Sequence, residues 1–109
     1  MSKDELTEIA MQIIVNSGSA RSYAMQAIKL ARNRDYAKAK ELLNKSEKYY
    51  LFAHESQTHL ITTEAKDEKN ISLNLLMIHA QDHLSIALVT KDLAIEFIEI
   101  YTRLEEYKC

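Results

Sequence analysis

The chain has 109 residues, with one glycine, no proline and a formal net charge of -2. Average usage would give about eight glycines and about five prolines, so turns are few and the elements run long. Collagen, all-β barrels and glycine-cradled nucleotide folds are therefore disfavoured, and the balanced charge disfavours nucleic acid as a partner. Hydrophobic residues make up 47% and aromatic residues only 7%. This composition predicts a single all-α domain, residues 1–109, built from packed helices.

The N-terminal segment and the cysteine usage both favour the cytoplasm. The first ten residues carry acidic side chains in an amphipathic pattern, where a signal peptide would have a basic stretch followed by a continuous apolar run. No segment approaches the roughly twenty apolar residues of a membrane span. The only cysteine, Cys109, has no partner for an internal disulfide. We therefore expect a soluble, cytoplasmic protein.

Apolar residues that recur every three or four positions predict a first helix over about residues 3–32. Its weak point is the Asn-Ser-Gly-Ser segment at 16–19, but the apolar stripe keeps its phase there, which favours one continuous helix. Gly18 is expected to permit close packing. Asp35 is suited to cap the second helix, which is predicted to end near Ala65 and to be followed by a polar connection over 66–70.

The third helix is predicted over about residues 72–107, capped by Asn70 or Ser72, and it carries two apolar stripes. The first stripe consists of Leu73, Leu76, Met77, Ala80, Leu84, Ala87, Leu88, Ile95 and Ile98. The second stripe, about half a turn away, consists of Leu75, Ile78, Ile86, Val89, Leu93, Phe97, Ile100 and Leu104. The polar wedge left to face water consists of Gln81, Ser85, Asp92, Glu96, Glu99 and Arg103. Because the other two helices cover only one stripe, the second stripe predicts burial against copies of the same chain, and we expect a homo-oligomer.

Asp82 interrupts the second stripe between Ile78 and Ile86. A buried carboxylate must be paired, protonated or bound to a cation, since leaving it bare would cost several kcal/mol. If the stripe lies along a symmetry axis, copies of Asp82 meet, and a hard divalent cation such as Mg²⁺ would neutralise them. The alternative is an ion pair of Asp82 with His83 or with a lysine of a neighbouring helix.

His79 and His83 are four residues apart and therefore share one face of the helix. This spacing occurs in zinc sites, for which His54, Glu55 and His59 of the second helix are the nearest further ligands. It also suits phosphoryl chemistry, because a neutral imidazole accepts a phosphoryl group and a neighbouring histidine or carboxylate orients its ring. The third reading is that both are ordinary interface or core histidines.

Residues 77–84, Met-Ile-His-Ala-Gln-Asp-His-Leu, resemble the signature of the lactose/cellobiose class of enzyme IIA proteins of the bacterial sugar phosphotransferase system. The resemblance includes the Gly-Ser-Ala-Arg-Ser segment at 18–22, the Asp-Tyr-Ala-Lys-Ala segment at 35–39 and several positions of the second helix. It extends in order and spacing over essentially the whole chain. Ala80 makes the chain more similar to the cellobiose/chitobiose branch, and Asn33, Arg34 and Asp35 replace a usual Asn-Gly-Asp turn.

This resemblance implies three long antiparallel helices per subunit and a homotrimer. It implies that His79 is the phosphoryl acceptor with His83 as a supporting neighbour, and that Asp82 lies on the threefold axis as a ligand of a shared Mg²⁺ or other divalent cation. HPr would be the phosphoryl donor and a cysteine of enzyme IIB the acceptor, in the uptake of a β-linked disaccharide. Gln81 matches the motif, but a straight helix directs it to the wedge, so we assign it no chemistry. Two other functions remain as alternatives: a non-catalytic helical adaptor, and a histidine phosphotransfer bundle of a two-component pathway.

Overall fold

The computed structural model consists of three consecutive helices: α1 (Lys3–Arg32), α2 (Tyr36–Lys66) and α3 (Leu75–Glu106). The structure describes residues 1–67 and 71–107, and no strand occurs among them. The helices lie side by side in a rod of 63 × 20 × 19 Å, so α1 and α3 run parallel and α2 runs antiparallel to both. The predicted all-α fold, the continuous first helix and the end of the second helix are confirmed. None of the three helices, over the described residues, combines the length and apolar character required to cross a membrane.

Each helix begins at a residue whose side chain accepts a hydrogen bond from a free backbone N–H. Ser2 accepts from the N–H of Glu5, and Asp35 accepts from the N–H of Lys38 as predicted. The predicted start of the third helix at Ser72 is wrong. Asn74 is the cap, with its Oδ1 2.9 Å from the backbone nitrogen of Met77, and α3 therefore begins three residues later. The other predicted cap, Asn70, and Cys109 lie outside the described residues.

The turn between α1 and α2 is tight and contains one residue in the left-handed region, Arg34, with φ of 66°. The N–H groups of Arg34 and Asp35 bond back to the carbonyls of Ala31 and Leu30 at the end of α1. Such a conformation favours glycine, because a Cβ crowds the following carbonyl there. Arg34 retains one compensating contact, an ion pair of 3.2 Å with Glu105 of α3.

Small residues let the helices pack closely around α1. Five alanines of α1 and three of α3 are almost completely buried: Ala10, Ala20, Ala24, Ala27, Ala31, Ala80, Ala87 and Ala94. Gly18 does not pack closely against any other part of its own chain among the described residues. A Cβ added at Gly18 would meet no atom within 4 Å, so the glycine faces open space on the side of α1.

The first predicted stripe of α3 forms the core only in part. Met77, Ala80, Leu84 and Ala87 are buried, whereas Leu73 precedes the helix and is exposed. Two further members, Leu88 and Ile95, are also exposed, because they lie on the flank of α3 towards α2, which covers α3 less closely than α1 does. All eight members of the second stripe are between 43% and 81% exposed, as expected for a face that no helix of the same chain covers.

Polar contacts also tie α2 to α3. The ammonium of Lys91, buried in the core face of α3, lies 2.8 Å from Glu47 and 5.0 Å from the ring centre of Tyr50. One end of the bundle is closed by the Tyr36 hydroxyl, which donates to the backbone carbonyl of Tyr101 at 3.2 Å.

Candidate functional site

The two motif histidines of α3 contact each other directly. The Nε2 atoms of His79 and His83 are 3.1 Å apart, and the rings meet edge to face with centres 4.5 Å apart. At this distance one ring donates its Nε2–H and the other accepts with its Nε2 lone pair, so two neutral rings must hold complementary tautomers. His79 is exposed, while His83 is half-buried. The pair therefore presents one accessible imidazole with a second imidazole fixed beside it.

Asp82 is exposed on the uncovered face of α3, between Ile78 and Ile86, each about half exposed. The alternative ion pair is not formed, because His83 contacts His79 and none of the described lysines reaches Asp82. Its carboxylate thus has no charged partner among residues 1–67 and 71–107, and it stands on an apolar face. A single chain supplies one carboxylate here, so a cation site at Asp82 requires the carboxylates of further copies.

The expectation that Gln81 faces water with the polar wedge is wrong. Its Oε1 accepts a hydrogen bond of 2.7 Å from Nε2 of Gln57 on α2, and its own Nε2 lies 3.6 Å from the sulfur of Met77. Gln81 is two residues from both His79 and His83. The amide pair therefore fastens the turn of α3 that carries the histidines to α2.

The histidines of α2 do not join the pair on α3. His54 stacks on Tyr50 with ring centres 5.7 Å apart, while Glu55 and His59 line an open groove of about 390 Å³ between α1 and α2. Among residues 1–67 and 71–107, no three His, Cys, Asp or Glu side chains of one chain come together as a metal site. The zinc reading of the His79 and His83 spacing thus finds no further ligands in the described part of the chain.

Lys91 is a buried charge that the sequence pattern missed. Burial lowers the pKa of Lys91, but hydrogen bonds and charges from Glu47 and Asp92 outweigh burial and raise the pKa above its ordinary value of 10.5. Lys91 lies four residues after Ala87 and three before Ala94, the spacing of the buried face. This spacing was the signal in the sequence from which the burial of Lys91 could have been predicted. Lys91 is three turns from His79 along α3 and serves the packing of the bundle.

The chain is similar to proteins of one family over nearly its whole length. The family model described as "PTS system, Lactose/Cellobiose specific IIA subunit" matches residues 8–102. The lichenan-specific phosphotransferase enzyme IIA component of Bacillus subtilis (strain 168) is 42% identical over 105 residues, which cover 96% of this chain and 94% of that protein.

Two solved structures have the same fold. The PTS cellobiose-specific enzyme IIA from Bacillus anthracis superposes with a TM-score of 0.91 at 44% identity, over 99% of this chain and 96% of that one. The IIA(Chitobiose)-HPr complex of the N,N'-diacetylchitobiose branch of the Escherichia coli phosphotransferase system gives a TM-score of 0.79 at 38% identity, over 92% of this chain and 96% of that one.

Proposed function

This chain belongs to the lactose/cellobiose-specific IIA family of the phosphotransferase system, and we propose that His79 accepts the phosphoryl group from phospho-HPr and passes it to a cysteine of enzyme IIB. Proteins of this family are phosphohistidine carriers, so the chain is a phosphotransferase component. The observation that supports His79 as the carrier is its exposed ring held against His83. We assign this exchange to the cytoplasm.

The histidine pair suits a carrier better than either ring alone. When His83 donates its Nε2–H to Nε2 of His79, the proton of His79 resides on Nδ1, and the Nε2 lone pair of His79 becomes free to react once this hydrogen bond is released. The lone pair attacks the phosphorus as the bond between phosphorus and the donor breaks, and the bonding electrons return to the donor. The Nε2–H of His83 is then placed to donate to a phosphoryl oxygen. Such positioned donors stabilise charge on a transferring phosphoryl group.

We further propose that three copies assemble with their α3 helices around a common axis. The eight exposed apolar side chains of the second stripe support this arrangement, because a contiguous apolar face of that length is rare on a monomer. In the trimer the three Asp82 carboxylates meet at the axis and bind Mg²⁺ or another hard divalent cation. That cation offsets the mutual repulsion of the carboxylates. The residues of the transfer step remain His79 and His83.

The transported sugar is proposed as a β-linked disaccharide of the cellobiose or chitobiose type, since the similar proteins carry lichenan, cellobiose and chitobiose in their names. The carrier does not need to bind it. HPr is proposed as the donor because one of the matching structures is a complex with HPr. Donor and acceptor dock in turn on the surface around His79, since one exposed ring serves both transfers.

Intact-mass measurement after incubation with phosphoenolpyruvate, enzyme I and HPr tests the proposal. The wild-type chain is expected to gain one acid-labile, base-stable phosphoryl group, and His79→Gln none. His59→Gln is the matched control, because His59 is also an exposed helical histidine but lies in the groove between α1 and α2. A wild type that gains nothing while HPr phosphorylates another acceptor would favour the non-catalytic adaptor. A phosphorylated His79→Gln variant would assign the carrier role elsewhere.

A further inference from the structure

We propose that α1 of one copy docks against α3 of the next copy through complementary charges, with Arg21 and Lys29 facing Asp92 and Glu96. This inference rests on the proposed trimer and specifies which surfaces form its contacts outside the apolar axis. It is carried by three features of the chain: a basic line on α1, an acidic edge on α3, and a common register between the two helices.

The basic line runs along one side of α1 and consists of Gly18, Arg21, Met25 and Lys29, spaced by three and four residues. It lies away from the groove with α2, which is lined on α1 by Ile9, Gln12 and Asn16. Arg21 and Lys29 are exposed and form no ion pair within the described residues, and Met25 is 38% exposed. Gly18 also indicates that this side of α1 is available to a neighbouring copy, since nothing in its own chain requires a residue without a side chain there. A glycine at this position leaves room for another helix to approach α1 closely.

The acidic edge consists of Asp92, Glu96 and Glu99, all exposed. It borders the apolar face of α3 on the side where Gln81 contacts α2, while α1 packs on the other side. Asp92 bonds Lys91 of its own chain and Glu99 bonds Arg103, but Glu96 has no ion pair among the described residues. In a threefold arrangement around the apolar face, each copy therefore presents its α1 side to one neighbour and its acidic edge to the other. Contacts of this kind are heterologous and close into a ring.

The register matches the two sets of charges. Ala10 and Ala80 belong to one buried cluster, and Ala31 and Tyr101 line one cavity near the other end, so α1 and α3 stay aligned at an offset of about 70 residues. Arg21 is therefore level with Lys91 and Asp92, and Lys29 is level with Glu99, one turn beyond Glu96. Rotation about a threefold axis parallel to α3 keeps every residue at its own height. Arg21 of one copy is thus level with Asp92 of the next copy, and the long side chain of Lys29 spans the one turn to Glu96.

Charge reversal followed by sedimentation velocity over a range of protein concentrations tests the inference. Lys29→Glu and Glu96→Lys are each expected to raise the concentration at which the trimer half-dissociates by about ten- to a hundredfold, since every trimer repeats the repulsion three times. The double variant Lys29→Glu/Glu96→Lys is expected to return towards the wild type. High salt should reduce the effect of each single variant, because exposed charges are screened.

Lys38→Glu and Glu41→Lys are the matched controls, and both are expected to assemble like the wild type. These two exposed residues lie five helical turns before Ser56 and His59, hence on the side of α2 that lines the groove with α1. A wild-type trimer whose single variants assemble normally would overturn this inference and leave the trimer intact. Single variants that dissociate without rescue in the double variant would overturn the pairing. A monomeric wild type would overturn the proposed trimer itself.

Discussion

The ammonium of Lys91 lies 2.8 Å from the carboxylate of Glu47, and the two side chains differ sharply in exposure, at 9% and 46%. The Lys91 ammonium depends on this ion pair to compensate its charge, because it has little access to water. Asp92 gives it a second carboxylate at 3.1 Å, but that carboxylate is 60% exposed. The contact couples α2 to the middle of α3, where α2 covers α3 only partly.

Removing Glu47 is therefore predicted to destabilise the fold more than removing Asp92. Glu47→Gln leaves a buried ammonium with one exposed partner and should lower the free energy of unfolding by about 1–3 kcal/mol. Asp92→Asn should cost less than about 1 kcal/mol, as for an exposed ion pair. Urea denaturation at a protein concentration low enough to keep the chain monomeric measures both, since assembly contributes to apparent stability and Asp92 lies at the proposed contact between copies. Equal losses in the two variants would contradict the asymmetry.

Alkaline pH is predicted to weaken the bundle through the same contact. The pKa of Lys91 is raised in the folded chain, so its contribution is complete below the ordinary value of 10.5 and is lost as pH rises through the folded pKa. Lys91→Met should flatten the decline of stability above pH 10.5. The pKa of Tyr36 is also raised, first by burial and then by Glu105, and acts in the same direction above its ordinary value of 10.0. Tyr36→Phe therefore serves as the comparison. A wild-type decline that survives unchanged in both variants would exclude these groups as its source.

Replacing Arg34 by glycine is predicted to stabilise the protein. Arg34→Gly removes the left-handed strain, worth about 1 kcal/mol, and loses an ion pair of two exposed side chains worth less than that. Arg34→Ala loses the same ion pair but keeps the Cβ. The melting temperature should therefore follow the order glycine, arginine, alanine. A glycine variant that melts with or below the alanine variant would show that the left-handed turn stores no strain.

Asp82→Leu is predicted to abolish binding of the divalent cation while preserving or strengthening the trimer. The substitution removes the repulsion between carboxylates at the axis and adds apolar surface to a face that is already apolar. Metal analysis of the purified protein and sedimentation velocity measure the two effects. If the variant dissociates, or retains its metal, Asp82 does not lie on the axis.

The helices and the uncovered face of α3 could be predicted because they follow from local spacing. Stripes at three and four residues fix which side chains share a face, and Ile78, Val89 and Leu93 are exposed as that pattern required. The start of α3 could not be fixed in this way, because residues 70, 72 and 74 all carry side chains able to cap a helix.

The side-chain contacts between helices could not be predicted from the sequence. The Gln57 and Gln81 bond depends on how α2 and α3 are rotated about their own axes, which spacing within either helix does not specify. The burial of Lys91 likewise depends on a carboxylate from another helix at the right height. A contact between His79 and His83 could be predicted, since residues four apart are neighbours on a helix. Which ring nitrogens meet could not, because it depends on the side-chain rotamers.

The most direct test of the account is to locate the phosphoryl group on the ring by nitrogen-15 NMR of the protein phosphorylated through HPr. The account predicts that the phosphorus is bonded to Nε2 of His79, with His83 unmodified and its Nε2–H close to the phosphoryl group. A phosphoryl group on His83, His54 or His59 would contradict the assignment of the carrier. Attachment at Nδ1 of His79 would retain the carrier but contradict the role given to His83.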